Sequence, residues 1–339
     1  PAHWLVALAL SASALLLVFA TRRAGCSGGE CSILGAGALP TGLEGPGQRE
    51  SGSRRGALSV GGAATLTGLF GDPGGTPLGG GIARAEVELR RGLEVVGWQG
   101  KRLQVPTGVE NSAVTHAFDG VEWPSAWPYT LDDFRRLDES DDGNFYGAPR
   151  FVTHIDDLAI GAIRDFYALQ FAQAPQGDYA VLDICSSWIS HYPRDLRARR
   201  VAITGMNQRE LAANKQATEF VARDLNKEPK LPFGDSEFDF VTNVVSVDYL
   251  SRPREIFEEM HRVLKPGGVA IMSFSNRCFF TKAIAMWRAN MSDGPGHCRI
   301  VGNYFRFNPS GGWRDISSID ISADPRKTNP MWVVTAVKA

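Results

Sequence analysis

The C-terminal half of the chain alternates buried strands with amphipathic helices, and this order constrains the fold more than any other feature. Five apolar runs have the length and composition of strands: residues 179–184, 199–205, 219–225, 238–245 and 268–274. Between them, residues 208–215 and 253–265 are predicted helices, the second ended by Pro266-Gly267-Gly268. Such alternation predicts a parallel sheet with right-handed crossovers.

Segments on both sides extend this alternation. After Asp157, apolar side chains recur at helix-like intervals, which predicts a lead-in helix: Leu158, Ile160, Ile163, Phe166, Tyr167 and Phe171. Residues 123–157 are rich in aromatics, prolines and acids, and we expect an ordered, turn-rich cap there. At the other end, residues 298–307 and 330–339 are strand-like, and we expect them to pair antiparallel at one edge of the sheet.

The first 85 residues have a different composition. Residues 4–20 are almost wholly apolar, and residues 22–84 are rich in Gly, Ala, Ser, Leu and Arg with few acids. Such a segment buries too little apolar surface to offset its ordering entropy. Together, residues 4–20 and 22–84 resemble a two-part plastid-targeting leader. This resemblance predicts a chloroplast location after the leader is removed. The alternative is a membrane anchor followed by a flexible linker, with membrane contact only through residues 4–20.

The remaining chain therefore divides into a cap with its lead-in helix, residues 86–177, and a main domain, residues 178–339. With 36 basic and 37 acidic residues, the net charge of −1 gives no indication of a nucleic-acid partner, and we expect a small-molecule one. None of the five cysteines forms the paired CxxC sets of zinc ribbons. We interpret them as mostly reduced thiols and expect no metal site.

Two stretches of the main domain carry a family resemblance. LPFGDSEFDFVTNVVSVDYL (231–250) and PREIFEEMHRVLKPGGVAIMSF (253–274) resemble class I S-adenosylmethionine-dependent methyltransferases of the small-molecule type 11 group. WPYTLDDF, DESDDGNFY, PRFVTHIDD and DICSSWISHYP further resemble an uncharacterised branch found in plastid and cyanobacterial proteins. The resemblance implies a doubly wound, mostly parallel, seven-stranded Rossmann-like sheet with an N-terminal cap segment. It also implies that S-adenosyl-L-methionine lies across the carboxyl ends of the first strands.

The first cofactor loop departs from the family pattern. After Asp183 the family has Gly-x-Gly, which lets backbone approach the cofactor closely, whereas this chain has Cys185, Ser186 and Ser187. Small side chains still permit a close turn. The serine hydroxyls are able to hydrogen-bond the methionine carboxylate of the cofactor in place of backbone groups.

A second departure follows the second strand, where Asn207 stands in the position of the acid that accepts the ribose hydroxyls. A neutral amide oxygen contributes about 1 kcal/mol per hydrogen bond, against about 1.5–3 for a charged acceptor, which predicts weaker cofactor binding. By resemblance, Asp224 meets the adenine amino group and Leu225 lies beside the adenine ring. Asn243 and Val244 border the methionine portion.

Three residues are candidate general bases: His154 before the lead-in helix, His191 beyond the first loop, and Asp248 after the fourth strand. Each has a simpler interpretation. Asp156 or Asp157 beside His154 would cap the helix, and His191 would be an ordinary loop histidine. Asp248 would be a surface or capping residue, and Cys185 a thiol packed as a small apolar group.

These features together predict methyl transfer from S-adenosylmethionine to a small-molecule acceptor by in-line displacement. In such a reaction the protein mainly aligns donor and acceptor and excludes water. The two departures support an alternative, a catalytically lapsed methyltransferase-like binding or assembly protein. A dinucleotide oxidoreductase is disfavoured, because Gly-x-Gly-x-x-Gly is missing after the first strand and no acid follows the second.

Overall fold

The computed structural model describes residues 93–109 and 111–339. The leader prediction for residues 1–85, together with Cys26 and Cys31, lies outside the described residues. The strands are β1 (Leu93–Val96), β2 (Arg102–Val105), β3 (Ala180–Ile184), β4 (Arg200–Gly205), β5 (Glu219–Ala222), β6 (Phe238–Val244), β7 (Leu264–Phe274), β8 (Trp313–Asp320) and β9 (Trp332–Lys338). The α-helices are α1 (Asp142–Tyr146), α2 (Asp157–Phe171), α3 (Gln208–Ala213), α4 (Pro253–Val263), α5 (Ala285–Arg288) and α6 (Gly294–Arg306).

A seven-stranded sheet with the order β5-β4-β3-β6-β7-β9-β8 forms the centre of the fold. Strands β3 to β7 pair in parallel, and β9 pairs antiparallel with both β7 and β8. The predicted mostly parallel, doubly wound sheet is confirmed. The chain runs outward from β3 to β5 and then returns to the other side of β3 as β6. The crevice at the carboxyl ends of β3 and β6 is therefore a topological switch point, where such sheets bind ligands.

Both faces of the sheet are covered at its centre, which explains why the central strands are mostly apolar, whereas the edge strands β5 and β8 are partly exposed. On one face, α4 and α6 pack over Leu182 of β3 in one buried cluster. On the other, α2 and α3 pack over Val181 in a second cluster. Phe171 of α2 meets Phe240 of β6 with ring centroids 4.9 Å apart, so the lead-in helix is part of the domain core.

The structure corrects the prediction for residues 298–307, which belong to α6 and not to a strand. Cys298, Val301, Tyr304 and Phe305 follow a helical interval and are buried against the sheet. Asp293 caps the helix by accepting from the Gly296 N–H at 2.8 Å. The antiparallel partner of β9 is instead the polar run Trp313–Asp320.

The cap is ordered by an aromatic cluster and by a buried ion network. Trp127 stacks on Phe134 and on Tyr304 of α6, with ring centroids 6.1 and 6.0 Å apart. In the network, the fully buried Lys282 lies 3.0 Å from Asp142, which also accepts from Arg136 at 2.7 Å. No helix in the described part of the chain is long and apolar enough to cross a membrane.

Candidate functional site

A cavity of about 380 Å³ opens at the carboxyl ends of the parallel strands. Its walls come from the loops that follow β3, β4, β5, β6 and β7, and from the cap between Asp142 and His154. This volume falls in the range of small-molecule sites. Nine of the predicted site residues line it: His154, Asp183, Cys185, Ser186, His191, Asn207, Asp224, Leu225 and Val244.

Asp183, the penultimate residue of β3, is a buried carboxylate that lines the cavity. Its Oδ2 accepts from the Ser186 hydroxyl at 2.6 Å, and its Oδ1 accepts from the Thr242 hydroxyl at 3.1 Å. Burial raises the pKa of this carboxyl to about 6, and the hydroxyl donors offset part of that rise. Asp183 therefore positions Ser186 and couples the first loop to β6.

The first loop, residues 185–193, turns without glycine. Cys185 and His191 have φ angles of +55° and +57°, in the left-handed region that glycine adopts without strain. The backbone therefore makes the turn that the family makes with glycine, at a cost of about 1–2 kcal/mol per residue. Burial raises the pKa of the Cys185 thiol to about 12, so the thiol is protonated at neutral pH.

Gly205, the last residue of β4, permits the close approach of this loop. A Cβ atom there would lie 2.1 Å from the Ser186 carbonyl oxygen, which is closer than any real contact. The Ser186 N–H donates to the Thr204 carbonyl at 2.8 Å and fixes the same approach. The glycine that permits the close approach of two backbone segments therefore lies at the end of β4 and not in the first loop.

Asn207 is the N-cap of α3, and both the oxygen and the nitrogen of its side-chain amide form hydrogen bonds with protein backbone. Its Oδ1 accepts from the N–H groups of Arg209 and Glu210, at 3.0 and 3.2 Å. Its Nδ2 donates to the carbonyls of Tyr146 and Gly147, at 2.8 and 3.1 Å. Asn207 therefore joins α3 to the cap.

Asp224 and Leu225 follow β5 in the cavity wall. The Oδ1 atom of Asp224 accepts from the N–H groups of Asn226 and Lys227, at 3.0 and 3.3 Å. Its Oδ2 atom is buried and has no hydrogen-bond partner among the described residues. A buried acceptor without a donor is costly, so this atom is suited to a ligand that brings an N–H group.

The end of β6 supplies Asn243 and Val244. Val244 lines the cavity, whereas Asn243 is fully buried and donates from Nδ2 to the Ile184 carbonyl at 3.1 Å. Asn243 thus joins β6 to β3. The next residue, Val245, has a φ of +43°, which is an outlier for a β-branched side chain and marks backbone strain in the cavity wall.

The two candidate histidines both line the cavity. Burial lowers the pKa of His191 to about 4, and its Nδ1 has no partner among the described residues. Burial also lowers the pKa of His154, whose ring lies 5.2 Å from that of Phe279. Asp156 caps α2 by accepting from the Ala159 N–H at 3.0 Å, so the capping interpretation of that aspartate is confirmed.

Asp248 is buried in a short 3₁₀ turn, and its neighbours Tyr249 and Leu250 line the cavity. Burial raises the pKa of its carboxyl to about 8, and its Oδ2 has no partner in the described structure. The carboxyl is therefore mostly protonated at neutral pH. In that state it is a proton donor.

Sequence patterns missed several residues of the site. Tyr146, Tyr249 and Phe279 form an aromatic wall, in which Tyr249 stacks on Phe279 at 5.9 Å and accepts from its N–H at 2.7 Å. Arg150 lies over the Phe145 ring at 4.5 Å. These residues come from the end of α1, the segment after it, a 3₁₀ turn after β6 and the loop after β7, without a shared motif. No group of three or more potential metal ligands lies together within residues 93–109 and 111–339.

Residues 160–272, from within α2 into β7, match a family described as a methyltransferase domain. The chain carries a class I methyltransferase domain. This confirms the family resemblance of the main domain, and S-adenosylmethionine is the cofactor of this class. The plastid and cyanobacterial branch remains a prediction.

Relatives share parts of this methyltransferase domain. The chain is 30% identical over 129 residues to the ubiquinone/menaquinone biosynthesis C-methyltransferase UbiE of Roseobacter denitrificans, covering 38% of this chain and 45% of that relative. The chain therefore spans less than half the length of this curated relative. Among solved structures, an S-adenosylmethionine-dependent methyltransferase from Mesorhizobium loti is 14% identical with a TM-score of 0.35, covering 52% and 98% of the two chains. Geranyl diphosphate C-methyltransferase from Streptomyces coelicolor is 14% identical with a TM-score of 0.36, covering 58% and 97%.

The methyltransferase domain has polar groups that fit its cofactor. Asp224 Oδ2 accepts no hydrogen bond among the described residues and lies 3.8 Å from the Lys227 ammonium, and Leu225 beside it is apolar. The hydroxyls of Ser186 and Ser187 donate to Asp183 and Glu210, so the expected donation from them to the cofactor carboxylate is not available, and each offers a ligand only acceptor lone pairs. The open acceptor of Asp224 beside the apolar Leu225 therefore suits an adenine ring with its amino group.

Proposed function

We propose that the protein transfers the methyl group of S-adenosylmethionine to a small-molecule acceptor by in-line displacement. The observation that carries this proposal is the composition of one cavity at the switch point. One wall presents acceptor oxygens to a cofactor, through Ser186, Ser187 and Asp224. The aromatic wall of Tyr146, Tyr249 and Phe279 belongs to the cap and to the segments after β6 and β7.

When bound, S-adenosylmethionine supplies a methyl group that the positive sulfur already activates. The residues of this chain then have to align the acceptor and exclude water. Tyr249, Phe279 and His154 form a continuous aromatic surface for this purpose, because Phe279 contacts both of the other rings. The buried ion network of Lys282 and Asp142 holds the cap in place above the site.

Proton removal from a hydroxyl or amine acceptor is assigned to the two histidines. Their lowered pKa values leave both imidazoles neutral at neutral pH, which is the state of a base. His154 is the first candidate, because a pKa lowered to about 4 makes His191 a weak base and the unpartnered Nδ1 of His191 is buried. Asp248 is buried and does not line the cavity, so it has no part in this step.

The acceptor is proposed only as a small molecule. The relative from Roseobacter denitrificans is described as acting in ubiquinone/menaquinone biosynthesis, and this chain covers 45% of it. The net charge of −1 supports a partner other than nucleic acid.

For the location, the proposal is a plastid protein whose leader, within residues 1–85, is removed. The composition of residues 4–20 and 22–84 supports it. A fluorescent protein fused to residues 1–85 should enter plastids and be released by cleavage. Retention of the uncleaved fusion in a membrane would support the anchor alternative instead.

Calorimetric titration of S-adenosylmethionine and S-adenosylhomocysteine into the purified protein tests the function. We expect micromolar dissociation constants, and a loss of affinity in Asp224→Ala, which removes the free acceptor. Asp235→Ala is the control, since that side chain is 78% exposed and pairs with Arg262. Absence of binding at millimolar cofactor in a folded sample would refute the proposal. Binding without turnover on any tested acceptor would favour the lapsed binding protein.

A further inference from the structure

A carboxylate that no sequence motif marks lies in the cofactor wall. Glu210 is the third residue of α3, is partly buried and lines the cavity. Its Oε2 accepts from the Ser187 hydroxyl at 2.6 Å, and its Oε1 accepts from the Arg150 N–H at 2.6 Å. Glu210 therefore joins the first loop to the cap across the cavity.

Asn207, which occupies the usual place of the ribose acid, has no hydrogen-bonding capacity left. An asparagine amide offers two donors and two acceptor positions. Both donors go to cap carbonyls, and both acceptor positions go to backbone N–H groups of α3. A ribose hydroxyl would have to displace one of these bonds.

Glu210 still has capacity. A carboxylate has about four acceptor positions, of which the described contacts of Glu210 use two, one on each oxygen. Its place in the first turn of α3 also favours negative charge, because the free N–H groups of a helix start are positive. Two adjacent hydroxyls of one ribose are able to donate to two such oxygens.

Two of the other three carboxylates of the cavity are committed elsewhere. Within the described residues, the acids that line it are Asp142, Asp183, Glu210 and Asp224. Asp142 is held by Arg136 and Lys282 in the ion network, and both oxygens of Asp183 accept from hydroxyls. Asp224 keeps one free oxygen, which suits the single amino group of adenine.

We propose that Glu210, and not Asn207, supplies the carboxylate that receives the ribose hydroxyls of the bound cofactor. This assignment rests on the proposed function. The role of the ribose acid has moved one turn into α3, while the residue at its former position caps the helix. Because Glu210 also holds Ser187 and Arg150, a bound ribose joins the first loop and the cap through one side chain.

The test is calorimetric binding of S-adenosylhomocysteine and of its 2′,3′-dideoxyribose analogue. The unmodified protein should bind the analogue about tenfold or more weakly, since charge-assisted bonds are lost. Glu210→Gln should weaken the binding of S-adenosylhomocysteine by a similar factor. This variant should then bind the two ligands with equal affinity. Glu258→Gln is the matched control, because Glu258 also accepts from a serine hydroxyl, that of Ser310 at 2.8 Å, on a different surface.

Two further variants separate ribose contact from loop positioning. Ser187→Ala breaks the bond between the first loop and Glu210 but leaves the carboxylate, so it should still distinguish the two ligands. Asn207→Ser keeps a helix-capping oxygen and should do the same. Thermal unfolding of each variant shows that it is folded.

The outcomes distinguish this assignment from the proposed function. If Glu210→Gln binds as tightly as the unmodified protein and still distinguishes the ligands, the assignment is wrong and the proposed function stands. If Asn207→Ser is the one variant that binds both ligands with equal affinity, Asn207 and not Glu210 receives the ribose hydroxyls. If the unmodified protein binds no S-adenosylhomocysteine, both proposals are overturned.

Discussion

Replacing Asp183 by asparagine should make the free energy of unfolding of the protein less dependent on pH. The carboxyl is buried beneath the cofactor cavity, and burial raises its pKa to about 6, against 3.8 for an ordinary aspartate. Asparagine has nearly the same shape and still accepts from the hydroxyl of Thr242. It removes the cost of burying a negative charge.

The magnitude follows from the difference in pKa between the folded and unfolded chain. Below about pH 3.8 both states hold the proton, and the stabilising contribution of the raised pKa is fully present. As the pH rises through about 6, the folded carboxyl loses its proton and the contribution disappears. A gap from 3.8 to about 6 corresponds to about 3 kcal/mol in the free energy of unfolding, of which about 2 kcal/mol falls between about pH 4.5 and about pH 8.

The assay is urea unfolding of the unmodified protein and of Asp183→Asn at several pH values across that range. We expect the stability of the variant, relative to the unmodified protein, to rise by about 2 kcal/mol from about pH 4.5 to about pH 8. Asp248, whose pKa is raised to about 8, titrates equally in both proteins and cancels from the difference. A difference that stays constant over the whole range would refute the reasoning.

Three further predictions concern the cap, the close approach at β4 and the buried thiol. Lys282→Met should destabilise the protein by up to about 3 kcal/mol in urea unfolding, because buried Asp142 keeps Arg136 but loses its second cation, whereas Lys227→Met, in an exposed pair, should have little effect. Gly205→Ala should lower the melting temperature and abolish cofactor binding in calorimetry, because its Cβ would overlap the carbonyl oxygen of the first loop. Gly161→Ala, whose Cβ meets only ordinary contacts in α2, should raise stability by up to about 1 kcal/mol. Cys185 should react with iodoacetamide about thirtyfold more slowly in the folded protein than in urea, because its raised pKa lowers the thiolate population, as measured by mass spectrometry of its peptide. Equal rates in the two states would contradict the last prediction.

The sheet and its lead-in helix could be predicted because apolar periodicity is a local property of the chain. The run before Asp183 is buried on both faces, and Ile163 and Tyr167 of α2 are buried as their spacing predicted, whereas Leu158 in the first turn is exposed. Residues 298–307 were mispredicted, because their β-branched and aromatic side chains suit a buried helix as well as a strand. The true edge strand is polar and takes its conformation from β9.

The site divides in a similar way. The sequence by itself determined where the polar residues follow the strands, since parallel strands bring their carboxyl ends to one edge of the sheet. That order placed Asp183, Asn207 and Asp224 in one cavity. Only the tertiary structure decided which of their atoms are free, because hydrogen bonds to distant backbone satisfy Asn207 and leave Asp224 with an open oxygen. Glu210 entered the cavity wall through its contacts with the first loop and the cap, which are far from it in sequence and follow from no local pattern.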